Sequence, residues 1–339
     1  MNVFSDQLSG LTALLSKPKN IVIVPHKDPD GDAIGSCLAW YNVLSSGGHK
    51  PKVISPNDVP VSLQWMKGAK EIIDFNLFKE IAIEVIHKAD MFLFLDFNNI
   101  SRIGDLADEI LPCTAPRVII DHHPLPDVNL GQILISDTGV SSTCELSYKV
   151  MKSINIIPDV HAGECLYTGM MTDTGILNHN SSHPFIYHAV ADLLEIGIDK
   201  DKIHKKVFHS NSLNRMRLLG HALCNKMEIF ADGKVALIVI SEQELKNFDY
   251  QPGDTEGLVN YPLSIEGVEV SVLMTEREKT LIKISFRSRG KVAVNKYSEM
   301  YFSGGGHRNA AGGINKEGLQ QAIDLLHLTI QDYILNNDK

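Results

Sequence analysis

Three short apolar runs in the first half of the chain each end abruptly in acid or imidazole. Asn20-Ile21-Val22-Ile23-Val24 runs into Pro25-His26, Met91-Phe92-Leu93-Phe94-Leu95 into Asp96, and Val118-Ile119-Ile120 into Asp121-His122-His123-Pro124. Uninterrupted β-branched and aromatic runs of this length predict buried strands. A further strand is expected over 52–55. Helical spacing separates them: Leu8, Leu11, Leu14 and Leu15 near the start, then Leu38, Tyr41 and Leu44 before a Gly47-Gly48 stop. Helices are also expected from Ser142-Thr143-Cys144-Glu145 onward, over 164–171, and over Pro184–Ile196. Strands alternating with helices predict an α/β fold built on a doubly wound, mostly parallel sheet. In such sheets ligands sit beyond the carboxyl ends of the strands, where these acids and histidines fall.

The pattern changes in the second half. Residues 199–226 are rich in Lys, Arg, His and Ser and carry no strand signal. The expected division is therefore a first domain over 1–197, a partly helical linker over 198–225, and a smaller α/β domain with a mixed sheet over 226–339. Its strands are expected at Val235–Ile240, 268–274 and 281–287, the last two forming a hairpin about Arg277-Glu278-Lys279. A short helix over 297–302 and a C-terminal helix marked by Leu319, Ile323, Leu326 and Ile330 complete it.

Composition narrows the class. At 339 residues two domains are the default. A hydrophobic fraction of 44% and a charged fraction of 22% are those of a soluble globular protein. No apolar run approaches the roughly 20 residues needed to cross a bilayer, and the N-terminus does not read as a signal peptide. Five cysteines at 37, 113, 144, 165 and 224, with no C-x-x-C, argue against a disulfide framework and against a zinc ribbon. A reduced, cytoplasmic protein with no membrane association is expected. The net charge of −9, from 41 acidic and 32 basic residues, disfavours a grip on duplex nucleic acid by counterion release. It leaves room for a short anion held by local arginines and metal ions.

The strand ends carry the candidate chemistry. His26, Asp30 and Asp32 share one loop, and imidazole with carboxylates suits a divalent ion such as manganese. The competing reading is a turn in which Asp32 caps the next helix. Asp96, directly after five apolar residues, is costly to bury unless paired or metal-bound. It also reads as a helix cap or as a partner for Arg102, which beside Ser101 can meet a phosphate. Asp121, His122 and His123 face a ligand or occupy a surface turn. Asp173, in Thr172-Asp173-Thr174-Gly175, is a turn aspartate or one more ligand. His179, His183 and His188 are assigned to surface or structural roles, and Ser142 to Glu145, with capping-box spacing, to structure. In the second domain Arg287 and Arg289 share a strand face with Lys283 and Ser285. That face is an ordinary solvated one or a bidentate anion site. Gly304-Gly305-Gly306-His307-Arg308 is a flexible turn or a loop whose backbone N–H groups approach an anion.

Together, His26-x-x-Pro29-Asp30-x-Asp32, Asp96, Asp121-His122-His123 and Thr172-Asp173-Thr174 resemble the four motifs of the DHH phosphoesterase superfamily. Ser285 to Arg289 and Gly304-Gly305-Gly306-His307 resemble its DHH-associated C-terminal domain. The resemblance spans the whole chain, with the spacing of the bacterial oligoribonuclease and 3′-phosphoadenosine-5′-phosphate (pAp) phosphatase group, the nanoRNases. It implies two divalent ions, manganese by preference. His26, Asp30 and Asp96 would hold one; Asp32, Asp96, His122 and Asp173 would hold the other, with Asp96 bridging. His123 would contact the scissile phosphate and Asp121 would orient its neighbours. Arg102, Arg287, Arg289, Gly304, Gly305, Gly306, His307 and Arg308 would bind substrate in a cleft between the domains. One departure is Ser303, where many relatives carry a fourth glycine.

The function implied is two-metal hydrolysis of single-stranded RNAs of two to five nucleotides to mononucleotides, together with removal of the 3′-phosphate of pAp. A homodimer is allowed. The alternatives are a cyclic or linear dinucleotide phosphodiesterase, an inorganic pyrophosphatase, and a nucleotide sensor without turnover.

Overall fold

Each apolar run of the first half forms a strand, and the strands lie side by side. The computed structural model describes residues 4–209 and 211–337 and divides into two units, Met1–Ser210 and Asn211–Lys339. In the first unit β1 (Asn20–Val24), β2 (Lys50–Ser55), β3 (Ile73–Asp74), β4 (Met91–Leu95), β5 (Arg117–Asp121) and β6 (Ile133–Ser136) form a sheet in the order β3-β2-β1-β4-β5-β6. All of its pairings are parallel. The α/β expectation is met, with the chain reversing its direction of winding between β1 and β4.

Helices cover both faces, which is why these strands are apolar without alternation. Ile21, Ile23, Leu93, Leu95, Val118 and Ile120 point into one core. It is shared with α1 (Ser5–Leu14), α2 (Gly31–Ser46), α5 (Thr143–Ser153), α6 (Val160–Asp173), α7 (Pro184–Ile196) and Ile203 of α8 (Lys200–Val207). Their neighbours Val22, Val24, Phe92, Phe94 and Ile119 point into the other, against α3 (Lys79–His87) and α4 (Leu106–Ile110). Period-two alternation thus feeds two cores, and in the central strands β1, β4 and β5 every residue beyond the first is buried.

The second unit opens with α9 (Leu213–His221) and a π-helical turn over Ala222–Lys226. Its sheet comprises β7 (Met227–Phe230), β8 (Val235–Ile240), β9 (Val270–Glu278), β10 (Leu281–Ser288), β11 (Gly305–His307) and β12 (Ala310–Asn315), in the order β11-β12-β10-β9-β8-β7. Only β8 and β9 pair in parallel, so the sheet is mixed. One face carries Ile282, Ile284 and Phe286 into a core with α11 (Val294–Tyr301) and α12 (Leu319–Asn337). On the other face Ile238, Ile240 and Leu273 meet Leu218 of α9 and Leu245 of α10 (Glu242–Asn247).

Two expectations shift here. The first strand of the hairpin runs on to Glu278, so the turn centres on Lys279-Thr280, because Glu278 still pairs with Leu281 beyond a bulge at Arg277. The short helix spans Val294–Tyr301, with Phe302 beyond its end. No helix among the described residues is long and apolar enough to cross a membrane. All five cysteines are unpaired.

Glu244 shows how charge fixes an element of the second unit. It completes a capping box with Ser241 at the start of α10 and pairs with His221 (3.0 Å) and Lys226 (3.1 Å). Partial burial opposes its charge, but the Ser241 N–H and hydroxyl, the His221 hydrogen bond and Lys226 outweigh it and lower its pKa to about 2. A depressed carboxylate pKa gives stability that is present above the unfolded value and is lost as pH falls through the folded one. Glu244→Gln is therefore expected to destabilise the protein by about 1 kcal/mol at pH 7. The gap from wild type, read by denaturant titration, should close between pH 4.5 and pH 2.

Candidate active site

At the carboxyl ends of β1, β4 and β5 the chain delivers one imidazole, one carboxylate, and a carboxylate followed by two imidazoles. His26 is buried, and its Nδ1 donates to the Lys27 carbonyl at 2.7 Å. That bond puts a proton on Nδ1 and turns Nε2 toward Asp96 Oδ2, 3.4 Å away. Asp96 sits in the left-handed region (φ +67°), which aspartate tolerates better than most residues. The turn aims its carboxylate along the sheet end, and its Oδ1 lies 3.6 Å from His122 Nε2. The two oxygens of Asp96 thus face different imidazoles.

Asp30, and not Asp32, caps α2: its Oδ1 accepts from the N–H groups of Asp32 and Ala33. Asp32 points inward from the first turn. Its two oxygens accept from Thr143 N (2.6 Å) and Cys144 N (2.9 Å), the first residues of α5. His122 Nε2 lies 3.9 Å from Asp32 Oδ2 and 3.6 Å from Asp173 Oδ2. Asp173 is the last residue of α6, which packs against α2 across glycines. A Cβ on Gly31 would strike the Thr172 hydroxyl, and one on Gly169 would strike Cys144 Sγ and approach Asp32 Oδ1 to 2.8 Å. Only glycine lets the two helices approach closely enough to bring Asp173 beside His122.

Three donor sets contain Asp96, one of them joining it to Asp121 and His123. His26, Asp30 and Asp96 each offer an atom within 4.8 Å of the others, and so do Asp32, Asp96 and His122. Burial, then the neighbouring Asp30 charge, pushes the Asp32 carboxyl up to about 6. Asp96 is raised well above the carboxylate range by burial and then by Asp32. Such carboxylates are held ionised only by compensating positive charge. Nitrogen and oxygen donors without thiolate fit a hard or borderline divalent ion.

His123 stands at the rim of this cluster. Its Nδ1 lies 2.7 Å from Asp121 Oδ1, and its N–H donates to Asp121 Oδ2 at 3.0 Å. Burial alone would lower its pKa. The Asp121 hydrogen bond and the Asp96 and Asp121 charges override this and raise it, against the opposing charge of Arg102. Arg102 is exposed in the turn after β4, and its carbonyl accepts from Lys27 N at 2.7 Å. Asn98 pins the strand end by donating to the His123 and Pro124 carbonyls, each at 3.0 Å.

The second unit gathers the remaining candidates at one end of its sheet. Directly opposite residues of antiparallel strands share a face. Arg287 lies opposite Ala310, which lies opposite His307; Ser285, Gly312 and Gly305 form the next such row. The result is a shelf floored by glycine and alanine and edged by Arg287 and His307. Arg289 follows β10, and Arg308 occupies the β11–β12 turn, donating to the Lys291 carbonyl at 2.8 Å. The expected glycine loop is instead strand β11, paired through its own backbone. Gly304 is required by crowding, since a Cβ there would strike the Gly312 carbonyl and the Ser298 hydroxyl. Ser303 takes φ +47°, a left-handed conformation that glycine adopts more readily than serine.

Thr143 and Cys144 correct the structural assignment made from capping-box spacing. Ser142 does cap α5, but the Glu145 carboxylate turns to Ser141, and the next two N–H groups hold Asp32. Asn98 also went unread. The signals available were a polar residue two places after Asp96 and an S-T-C-E box whose small residues suit close approach. The Gly31/Gly35 pair on one helix and Gly169 on another likewise mark close packing.

Residues 20–170 match the model of the DHH family, N-terminal domain, and residues 232–333 match that of the DHHA1 domain. The chain is similar to the bifunctional oligoribonuclease and PAP phosphatase NrnA of Thermus thermophilus, with 27% identity over 86% of this chain and 83% of that protein. It is 24% identical to the cyclic-di-AMP phosphodiesterase GdpP of Bacillus subtilis over 96% of this chain and 49% of that protein. A crystal structure of an exopolyphosphatase-related protein from Bacteroides fragilis superposes with a TM-score of 0.93 and 38% identity over the full length of both chains.

Two substitutions test this arrangement. Gly169→Ala forces a methyl between α2 and α6 and is expected to cost about 1–3 kcal/mol, read as a lower melting temperature. Asp96→Asn removes one buried negative charge. The chelator-treated variant should melt higher than chelator-treated wild type at pH 8, and manganese should raise its melting temperature far less than it raises that of wild type.

Proposed function

The chain belongs to the DHH family of phosphoester hydrolases, and we propose that it is a metal-dependent enzyme that degrades very short oligoribonucleotides to mononucleotides and removes the 3′-phosphate of pAp. The observation that carries this reading is the pair of donor sets sharing Asp96, whose two oxygens face different imidazoles. His26, Asp30 and Asp96 would hold one ion, and Asp32, Asp96, His122 and Asp173 the other, manganese by preference for these donors. Two divalent ions, when bound, draw charge from the phosphoryl oxygens and lower the pKa of a water.

The chain's own residues do the rest. Four aspartates and two neutral imidazoles in the donor sets match the charge of two divalent ions, so a phosphate is not repelled. His123, held through Nδ1 by Asp121, would use its other ring nitrogen to donate to an oxygen of the scissile phosphate. Arg102 adds positive charge beside it. Arg287, Arg289, Arg308, His307 and the glycine-floored shelf of the second unit would take a phosphate or nucleotide of the substrate. The acidic net charge works against long or duplex nucleic acid. Five unpaired cysteines suit the reducing cytoplasm.

The likeness to GdpP favours a second reading, hydrolysis of cyclic dinucleotides or their linear products. Purified protein with manganese should be assayed in parallel on pAp, on cyclic and linear dinucleotides, and on a 5′-labelled RNA ladder of two to twenty-four nucleotides. Phosphate release from pAp with loss of only the shortest RNAs is expected. Turnover confined to cyclic dinucleotides would replace the first reading with the second. His123→Ala should lower kcat by about 10²–10⁴ with the fold intact by circular dichroism.

A further inference from the structure

Thr143 touches both central carboxylates at once. Its backbone N–H donates to Asp32 Oδ2 (2.6 Å) and its hydroxyl donates to Asp96 Oδ1 (2.9 Å), although the partners lie far away in sequence. Thr143 is fully buried, as are its neighbours Ser141, Ser142 and Glu145. It is also fixed in place. The Ser142 hydroxyl accepts from Glu145 N (3.0 Å), and the Glu145 carboxylate accepts from Ser141 N (2.7 Å) and Ser141 Oγ (2.5 Å). The N-terminus of α5, with Cys144 N as a second donor, thus forms a rigid mount for Asp32.

Among the described residues no backbone N–H donates to the Asp96 carboxylate, and its left-handed backbone sets only the direction of Cβ. The Thr143 hydroxyl is the donor that fixes the carboxylate's rotation. With Oδ1 held at Thr143, that oxygen lies on the His122 side, and Oδ2 lies on the His26 side. Without that hydrogen bond the carboxylate is free to turn away from the orientation in which each oxygen faces a different imidazole.

We propose that Thr143 is a positioning residue that makes Asp96 a bridge, so that this chain binds a pair of divalent ions and not one ion alone. This rests on the metal reading above and adds to it the group that selects two ions over one. Partners of metal ligands of this kind change affinity by about 10–100-fold when removed.

The test is manganese titration of the metal-free full chain by calorimetry, with electron paramagnetic resonance on the same samples. Wild type should bind two ions per chain and show a spin-coupled pair. Thr143→Val keeps the shape and the backbone donor but removes the hydroxyl. It should retain the first ion, bind the second about 10–100-fold more weakly, and show the spectrum of isolated ions. Thr143→Ser should restore both the affinity and the coupled spectrum. Thr143→Ala carries the same measurement should the valine variant fold poorly. A hydroxyl-free variant with the wild-type isotherm and coupled spectrum overturns the inference. So does a serine variant as impaired as valine, which would make the methyl group, and not the hydroxyl, the working part. Wild type that binds no second ion overturns the two-metal reading itself, a distinct result.

Discussion

Several carboxylates share a dry corner at the carboxyl ends of a parallel sheet, and the rest of the first unit answers to that repulsion. Asp32 and Asp96 are almost completely buried within reach of the same imidazole, and both resist ionisation for that reason. A cluster of this kind is unfavourable in isolation. It persists because the fold supplies partial positive charge from the start of α5, imidazoles at three edges, and donor geometry that a cation completes. Stability given up at the strand ends is the condition for binding ions there.

The sheet and its helices set how closely those groups meet. The switch between β1 and β4 opens a crevice in the strand order, and the residues after both strands point into it. The carboxylates of α2 and α6 come alongside because Gly31, Gly35 and Gly169 let the two helices pack closely. Cys144 fills the last gap among them. The buried cysteines are part of this packing; burial and the nearby Asp32 and Asp96 charges raise the thiols of Cys37 and Cys144 far above their ordinary range. They are inert spacers under the acidic corner.

How much of this was legible follows from what each signal encodes. The strands before His26, Asp96 and Asp121 were readable because burial on both faces leaves uninterrupted apolar runs. The ligand candidates were readable because acids and imidazoles at strand ends have few structural uses. Thr143 was not, because a capping box and a carboxylate mount use the same small hydroxyl residues, and only the tertiary fold says where the spare N–H groups point. The exchange of roles between Asp30 and Asp32 was hidden similarly: either fits a helix start, and the choice depends on α5 lying opposite. The glycine triplet misled because freedom from side chains serves a loop and a crowded strand equally. Its neighbours Gly312 and Gly313 were the clue to a paired hairpin, since close backbone contact requires small residues on both sides.

That hairpin also shows how strand register gathers cationic side chains in an acidic protein. Net charge acts at long range and is screened within roughly 10 Å at moderate salt. Local recognition depends on which groups share a face. In the second unit the register places Arg287 and His307 in one row across Ala310, and the adjoining row offers two glycines and a serine. A phosphate can approach the sheet there without meeting a bulky side chain, and the surrounding cations are set by strand pairing instead of by a flexible loop. Rigidity of this kind lowers the entropic cost of ordering the site on binding. It also makes the shelf sensitive to register: a one-residue slip of β12 against β10 would send Arg287 and its row to opposite faces. The crowding at Gly304 and Gly313 around the Ser298 hydroxyl resists that slip. The glycines that look permissive in sequence therefore act as the constraint that keeps the row of Arg287, Ala310 and His307 on one face.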